Sequence, residues 1–279
     1  MSESVKLVTF INIIFVVILM LSGSLDGFVG DVAYFLAFII PIAIGFYSSF
    51  DLKRKREEIV GVAEPAERLF SLDKNGARLL LPLVFPVVTV VFLVSLVTSL
   101  VLTSFGVQND PVEDTGLISM LLSHALLPAL FEEALFRYIP MKVLMPYSRR
   151  WCVIYSAFTF ALIHCSFFQM PYAFIAGIIF MAIDVALGSV WPSVILHLVN
   201  NTVSVIGMRY CTTPNSIAVF VVALLLLSAV SLLFALKERH LYKEKLLYSF
   251  DKGEGFSATY APFALAVICC YIATISLLQ

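Results

Sequence analysis

Three stretches of this chain set ionisable or amide side chains inside otherwise apolar sequence. HALLPALFEEALFRYIP carries Glu132, Glu133 and Arg137, FTFALIHCSFF carries His164, and WPSVILHLVNNT carries His197, Asn200 and Asn201. Glu133 and Arg137 are four residues apart, so on a helix they stack on one face and can pair. Glu132 is turned about 100° from that face and is free to point elsewhere. His197 and Asn201 share the four-residue spacing and can face one cavity. A glutamate beside a neutral histidine can take a proton from water and return it to a leaving amine. A second histidine and an asparagine amide are donors suited to a developing oxyanion, a role worth about 3–4 kcal/mol per donor. Base, orienting group and two donors describe a hydrolase of an acyl bond.

These residues need a scaffold, and composition says which kind. Of the 279 residues, 61% are hydrophobic and 13% charged. A soluble domain carries roughly 25% charged residues, so this chain cannot build a water-exposed surface. The apolar residues fall into runs of about twenty, the length that crosses a ~30 Å hydrocarbon core. The fold class that follows is all-α, a polytopic transmembrane bundle of about eight to nine spans. A net charge of -1 provides no basic face for nucleic acid, and Walker, dinucleotide and zinc-finger patterns are absent from the sequence. Cys152, Cys165, Cys211, Cys269 and Cys270 form no CxxC pair and read as small buried hydrophobes.

Hydropathy places spans at 7–25, 32–50, 79–105, 117–139, 151–168, 171–188, 190–207, 215–236 and 258–278. The first run, after Lys6, is too long for a signal-peptide core and reads as a retained span. With the N-terminus in the cytoplasm, sixteen of the eighteen Lys and Arg residues fall on the cytoplasmic side. The outer segments carry Asp26, Asp31, Asp110, Glu113 and Asp114 instead. That asymmetry is what the positive-inside rule expects of a multi-pass protein of the cell membrane. The whole chain, 1–279, reads as one integral membrane domain, with 51–78 as a long cytoplasmic loop whose DLKRKREE start serves as a topology determinant.

An ionisable group within a span is expensive and is a functional candidate by default. At ~1.5 Å per residue, Glu132 lies roughly 10 Å from the cytoplasmic end of its span. By the same measure His197 lies roughly 10 Å, Asn201 roughly 17 Å and His164 roughly 20 Å from the corresponding ends of theirs. Helices running in both directions thus bring the set to similar depth, where one water-filled cavity would serve all of it.

The pattern EExxxR, then FxxxH, then HxxxN on successive membrane helices resembles the CPBP intramembrane endopeptidases. That group includes the type II CAAX prenyl endopeptidases and bacterial Abi proteins. Here EEALFR is Glu132 to Arg137, FALIH is Phe160 to His164 and HLVNN is His197 to Asn201. The resemblance covers roughly 120–206, and the core is drawn at approximately 117–207. It implies a glutamic-type peptidase: Glu132 and His164 would activate the water, His197 and Asn201 would stabilise the oxyanion, and Glu133 and Arg137 would support the site. The implied substrate is a membrane-bound peptide or protein, prenylated for some members. No cofactor is expected, although two His and one Glu could also hold zinc with an open position. Direct activation ranks above zinc because the sequence has no HExxH.

Two other classes compete with this reading. The same set could be a structural network that packs helices, or it could serve a transporter or membrane chaperone, which no inverted repeat supports. GxSG and GxGD, the marks of serine and aspartyl intramembrane proteases, are absent. His124, about 12 Å from Glu132 along the helix, reads as a packed histidine, and His240 as a solvated one. Asp184 would snorkel or pair with Arg137, Asn200 would face a neighbouring helix, and Phe160 would form a wall against the His164 imidazole.

Overall fold

The computed structural model describes residues 2–25, 27–60, 69–108 and 115–249. Among these residues regular structure is helical throughout, in eight principal helices. They are α1 (Ser2–Gly23), α2 (Gly27–Val60), α3 (Lys74–Ser104), α4 (Leu117–Val143), α5 (Arg149–Leu162), α6 (Met170–Leu187), α7 (Trp191–Tyr210) and α8 (Pro214–Ala235). Beyond α8 the chain continues through one tight turn into Arg239–Ser249.

Six of the eight are long and apolar enough to cross a membrane. The two exceptions are α5 and α7. α5 has 14 residues, about 21 Å of helix, and α7 has the length but carries His197, Asn200 and Asn201. The chain is an all-α polytopic membrane bundle. Val219, Leu226 and Leu233 on α8 are 63–71% exposed, an apolar face that lipid covers and water would not.

Several span boundaries move: α3 begins at Lys74 and α4 runs on to Val143. The expected span 151–168 stops as a helix at Leu162, and the chain then turns through His164 and Cys165, whose φ is 46°. The next helix begins at Met170 with Pro171 in its first turn, where a missing N–H costs nothing. At 190–207 the helix runs on to Tyr210. The start of the expected 51–78 loop is helical to Val60, as a continuation of α2. The span at 258–278, Asp26, and the acidic residues at 110, 113 and 114 lie outside the described residues.

α4 is not a regular helix. Wide, π-helical turns occupy Leu122–Leu126 and Ala134–Tyr138, before Pro128 and Pro140 respectively. Each proline removes the donor for the carbonyl four residues earlier. For Pro140 that carbonyl belongs to Phe136, and it accepts instead from Ser156 Oγ on α5 and, at 3.4 Å, from Arg137 Nη1. The irregularity thus ties α4 to α5 at the level of the glutamates, as such turns do at functional sites.

α7 packs against α3, α4 and α6, α5 lies on α6, and α1 pairs with α2. Gly177 lets α6 approach α5 closely: a Cβ there would sit 2.7 Å from Ala157 Cα. Small residues at such crossings are how membrane helices gain contact without a hydrophobic driving force. Buried polar clasps add to it, among them Asn12 Nδ2 donating to Tyr155 Oη at 2.6 Å and the Thr89–Ser228 hydroxyl pair at 2.6 Å.

Candidate active site

The start of α7 is fixed first, because it carries two of the candidate residues. A helix leaves its first backbone N–H groups without partners. Trp191 N donates to Ser189 Oγ at 3.2 Å, Pro192 has no N–H, Ser193 N donates to Asp184 Oδ1 at 2.9 Å, and Val194 N donates to Val190 O at 3.2 Å. Asp184, fully buried on α6, therefore caps the helix that bears His197. It neither reaches a lipid interface nor joins Arg137 in a salt bridge.

His197 lies one turn further on. Its Nδ1 is 2.7 Å from Glu133 Oε1, and a carboxylate can only accept, so Nδ1 carries the proton. The other edge, Nε2, is 3.9 Å from Glu132 Oε2. Adjacent glutamates on α4 thus grip the two edges of one imidazole. Glu133 Oε2 lies 3.2 Å from Arg137 Nε, near enough for the charges to pair but off the line of a hydrogen bond. Arg137 Nη1 donates to Ser156 Oγ at 3.2 Å. Glu133 and Arg137 are both 0% exposed, which makes this a fully desolvated ion pair with a histidine attached.

Phe160 holds the opposite side. The Arg137 guanidinium lies 4.3 Å from its ring centre, and the rings of His164 and His197 stand edge-on to it at 5.1 and 5.6 Å. A buried cation on an aromatic face is worth about 2 kcal/mol, so Phe160 is more than the wall expected from sequence. His164, in the turn after α5, directs Nδ1 at Phe160 O at 2.9 Å. A carbonyl only accepts, so the Nδ1 proton is used there and Nε2 keeps its lone pair.

Glu132, His164, His197 and Asn201 all line one cavity of about 650 Å³. The ion-pair-range contact of Glu132 is with His197, not with His164. Glu132 Oε2 is buried and has no protein hydrogen-bond partner. Asn201 Oδ1 accepts from Asn200 Nδ2 at 3.2 Å, which leaves the Asn201 amide N–H groups to offer. Two expectations fail here. His124 lines the same cavity as an exposed side chain, and Asn200, 8% exposed, lines it as well. His197, Asn200, Asn201 and Ser204 sit at i, i+3, i+4 and i+7, a single wide face of α7 turned to the cavity.

Sequence reasoning missed Ser156 and the capping role of Asp184. Pro140 was the readable signal for the first, since the carbonyl it frees needs a donor. Pro192, with no side-chain cap at Val190, was the signal for the second. Among the described residues no three His, Cys, Asp or Glu side chains are placed to hold a metal ion. That holds for Glu132, His164 and His197, the two histidines and one glutamate of the zinc alternative, so the donor set does not fit zinc and no step runs through a metal.

Residues 114–203 match the family model described as type II CAAX prenyl endopeptidase Rce1-like. No curated protein and no solved structure matches the chain. The matched segment contains all three motifs and the residues gathered around Glu132, and over that segment the chain is similar to this family.

Proposed function

We propose that the chain is a glutamic-type intramembrane peptidase, with 117–207 as its catalytic core. Glu132 is the general base, assisted by the unprotonated Nε2 of His164. His197 and Asn201 are the oxyanion donors, and Glu133 with Arg137 supports His197. The observation that carries this reading is the placement of Glu132. Its Oε2 is buried, lacks a protein partner, and lies 3.9 Å from His197 Nε2 in a cavity shared with His164 and Asn201.

A separation of 3.9 Å is too long for a direct hydrogen bond and suits a bridging water within reach of both groups. Glu132 would take a proton from that water as it attacks the carbonyl carbon. The C–N bond then breaks, and the same proton passes to the departing amine. For His197 to serve as a donor, Nε2 must carry a proton in addition to Nδ1. The Glu133 carboxylate against Nδ1 compensates the added charge. Asn201 needs no such change, because its amide donates in every state.

The substrate is a membrane-bound peptide or protein, and a prenylated C-terminus is the class named by the matching family description. The test is a peptide library, each member with and without a prenyl group, given to purified wild type and Glu132→Ala side by side. Cleavage of some members by wild type alone supports the reading. No cleavage by either protein, together with saturable binding of a small solute that is lost in Glu132→Ala, would favour a transporter or chaperone.

A further inference from the structure

The cavity has a sealed end and an open end, and the ends differ in charge. Below Glu132 and His197 the bundle is closed. Glu133 and Arg137 toward the end of α4, Asp184 toward the end of α6 and Ser193 at the start of α7 are all 0% exposed. The lining runs the other way, through Ser95 and Ser99 on α3, Ser123 on α4, and Ser204 and Met208 on α7. On α7, His197 and Asn200 are buried, Val205 stays buried, and Met208 is 48% exposed. The mouth therefore lies at the end of the bundle where α3 and α7 finish and α4 and α8 begin.

Basic residues gather at the opposite end. Every described Lys and Arg except Arg137 and Arg209 lies near the start of α1, the α2–α3 and α4–α5 connections, or the extension of α8. Short connections rich in Lys and Arg stay in the cytoplasm. Cavity and charge thus point in opposite directions across the membrane.

We propose that the site opens on the non-cytoplasmic face, where it receives an extended peptide segment held at that leaflet, while the Glu133–Arg137 layer closes it to the cytoplasm. For its chemistry the proposal rests on the peptidase reading; for its direction it rests on the cavity and the charges. The mouth suits such a segment. Hydroxyls of Ser95 and Ser99 on α3, and Asn200 and Ser204 on α7, line the cavity and can satisfy peptide N–H and C=O groups that hydrocarbon would leave unpaired. Deeper in the cavity Phe15 and Phe38, packed against Phe136 and Phe131, supply apolar wall.

Cys211, half-buried at the mouth, is a ready reporter. A full-length variant retaining Cys211 alone would be treated with a membrane-impermeant maleimide in intact cells and in inverted vesicles. Ser99→Cys in a cysteine-free chain would probe the mouth from a different helix, and Lys243→Cys would mark the basic face. Labelling of both mouth positions in intact cells, with Lys243→Cys labelled only in inverted vesicles, is expected. Labelling of the mouth positions only in inverted vesicles would overturn the proposal. Labelling requires no turnover, so it separates from failure of the peptidase reading: an inactive protein labelled from outside keeps the direction and loses the chemistry. In an active protein, modified Cys211 should block cleavage, and unchanged cleavage would show that substrate enters by another route.

Discussion

Replacing Glu133 by glutamine removes one negative charge from a place where two other groups depend on it. Arg137 keeps its cation at 0% exposure with no carboxylate beside it, and His197 loses the acceptor 2.7 Å from Nδ1. Leaving one member of a buried ion pair unmatched costs about 3–5 kcal/mol. At roughly 2–4 °C per kcal/mol, this lowers Tm by about 6–20 °C. Removing both charges, as in Glu133→Gln with Arg137→Met, should recover most of that loss, because a buried pair replaced by neutral groups is often no less stable. Activity should not recover with it, since His197 still lacks its orienting carboxylate. Melting curves and cleavage rates on detergent-purified single and double variants separate the two effects. A Glu133→Gln protein that melts with the wild type would refute the energetic argument. A double variant restored in both stability and rate would show that Glu133 acts on folding alone.

Asn201→Ala should lower the cleavage rate by roughly 10²–10³ with KM nearly unchanged, because the lost donor acts mainly in the transition state; steady-state kinetics would show it. Asp184→Ala strips the acceptor from the buried Ser193 N–H and should destabilise by about 1–3 kcal/mol, whereas Asp184→Asn keeps an oxygen in place and should melt closer to wild type. Activity should survive chelation, and loss on chelation with recovery on added zinc would contradict direct activation of water by Glu132.

The membrane bundle was legible because apolar runs of about twenty residues have few other uses, and hydropathy needs no partner to be read. The Glu133–Arg137 pairing was legible because residues four apart on a helix are neighbours, and it survives the wide turn at 134–138. The end of α5 was not. Its apolar composition continues past Leu162 through Phe167 and Phe168, and hydropathy is blind to the backbone turn at Cys165. The wide turn at 134–138 is completed by Ser156, a donor supplied by another helix; Pro140 signals the freed carbonyl but not the donor that meets it. For His124, a wide turn at 122–126 lies between it and Glu132, so spacing from a regular helix did not apply. Asn200 was misjudged by its angle from Asn201 when its i+3 relation to His197 governs its face. The capping by Asp184 is tertiary, between residues nine apart on different helices, and appears in sequence only as a start to α7 without a local cap.

Glu132→Gln tests the central claim most directly. Glutamine preserves the size of the side chain and a hydrogen-bonding oxygen near His197 but cannot take a proton from water. Rates and melting curves should be measured together on a peptide that the wild type cleaves. Turnover should nearly vanish while Tm stays close to wild type, because no buried cation depends on Glu132 in the way that Arg137 depends on Glu133. A Glu132→Gln protein that cleaves at the wild-type rate would contradict it and move the base to another residue.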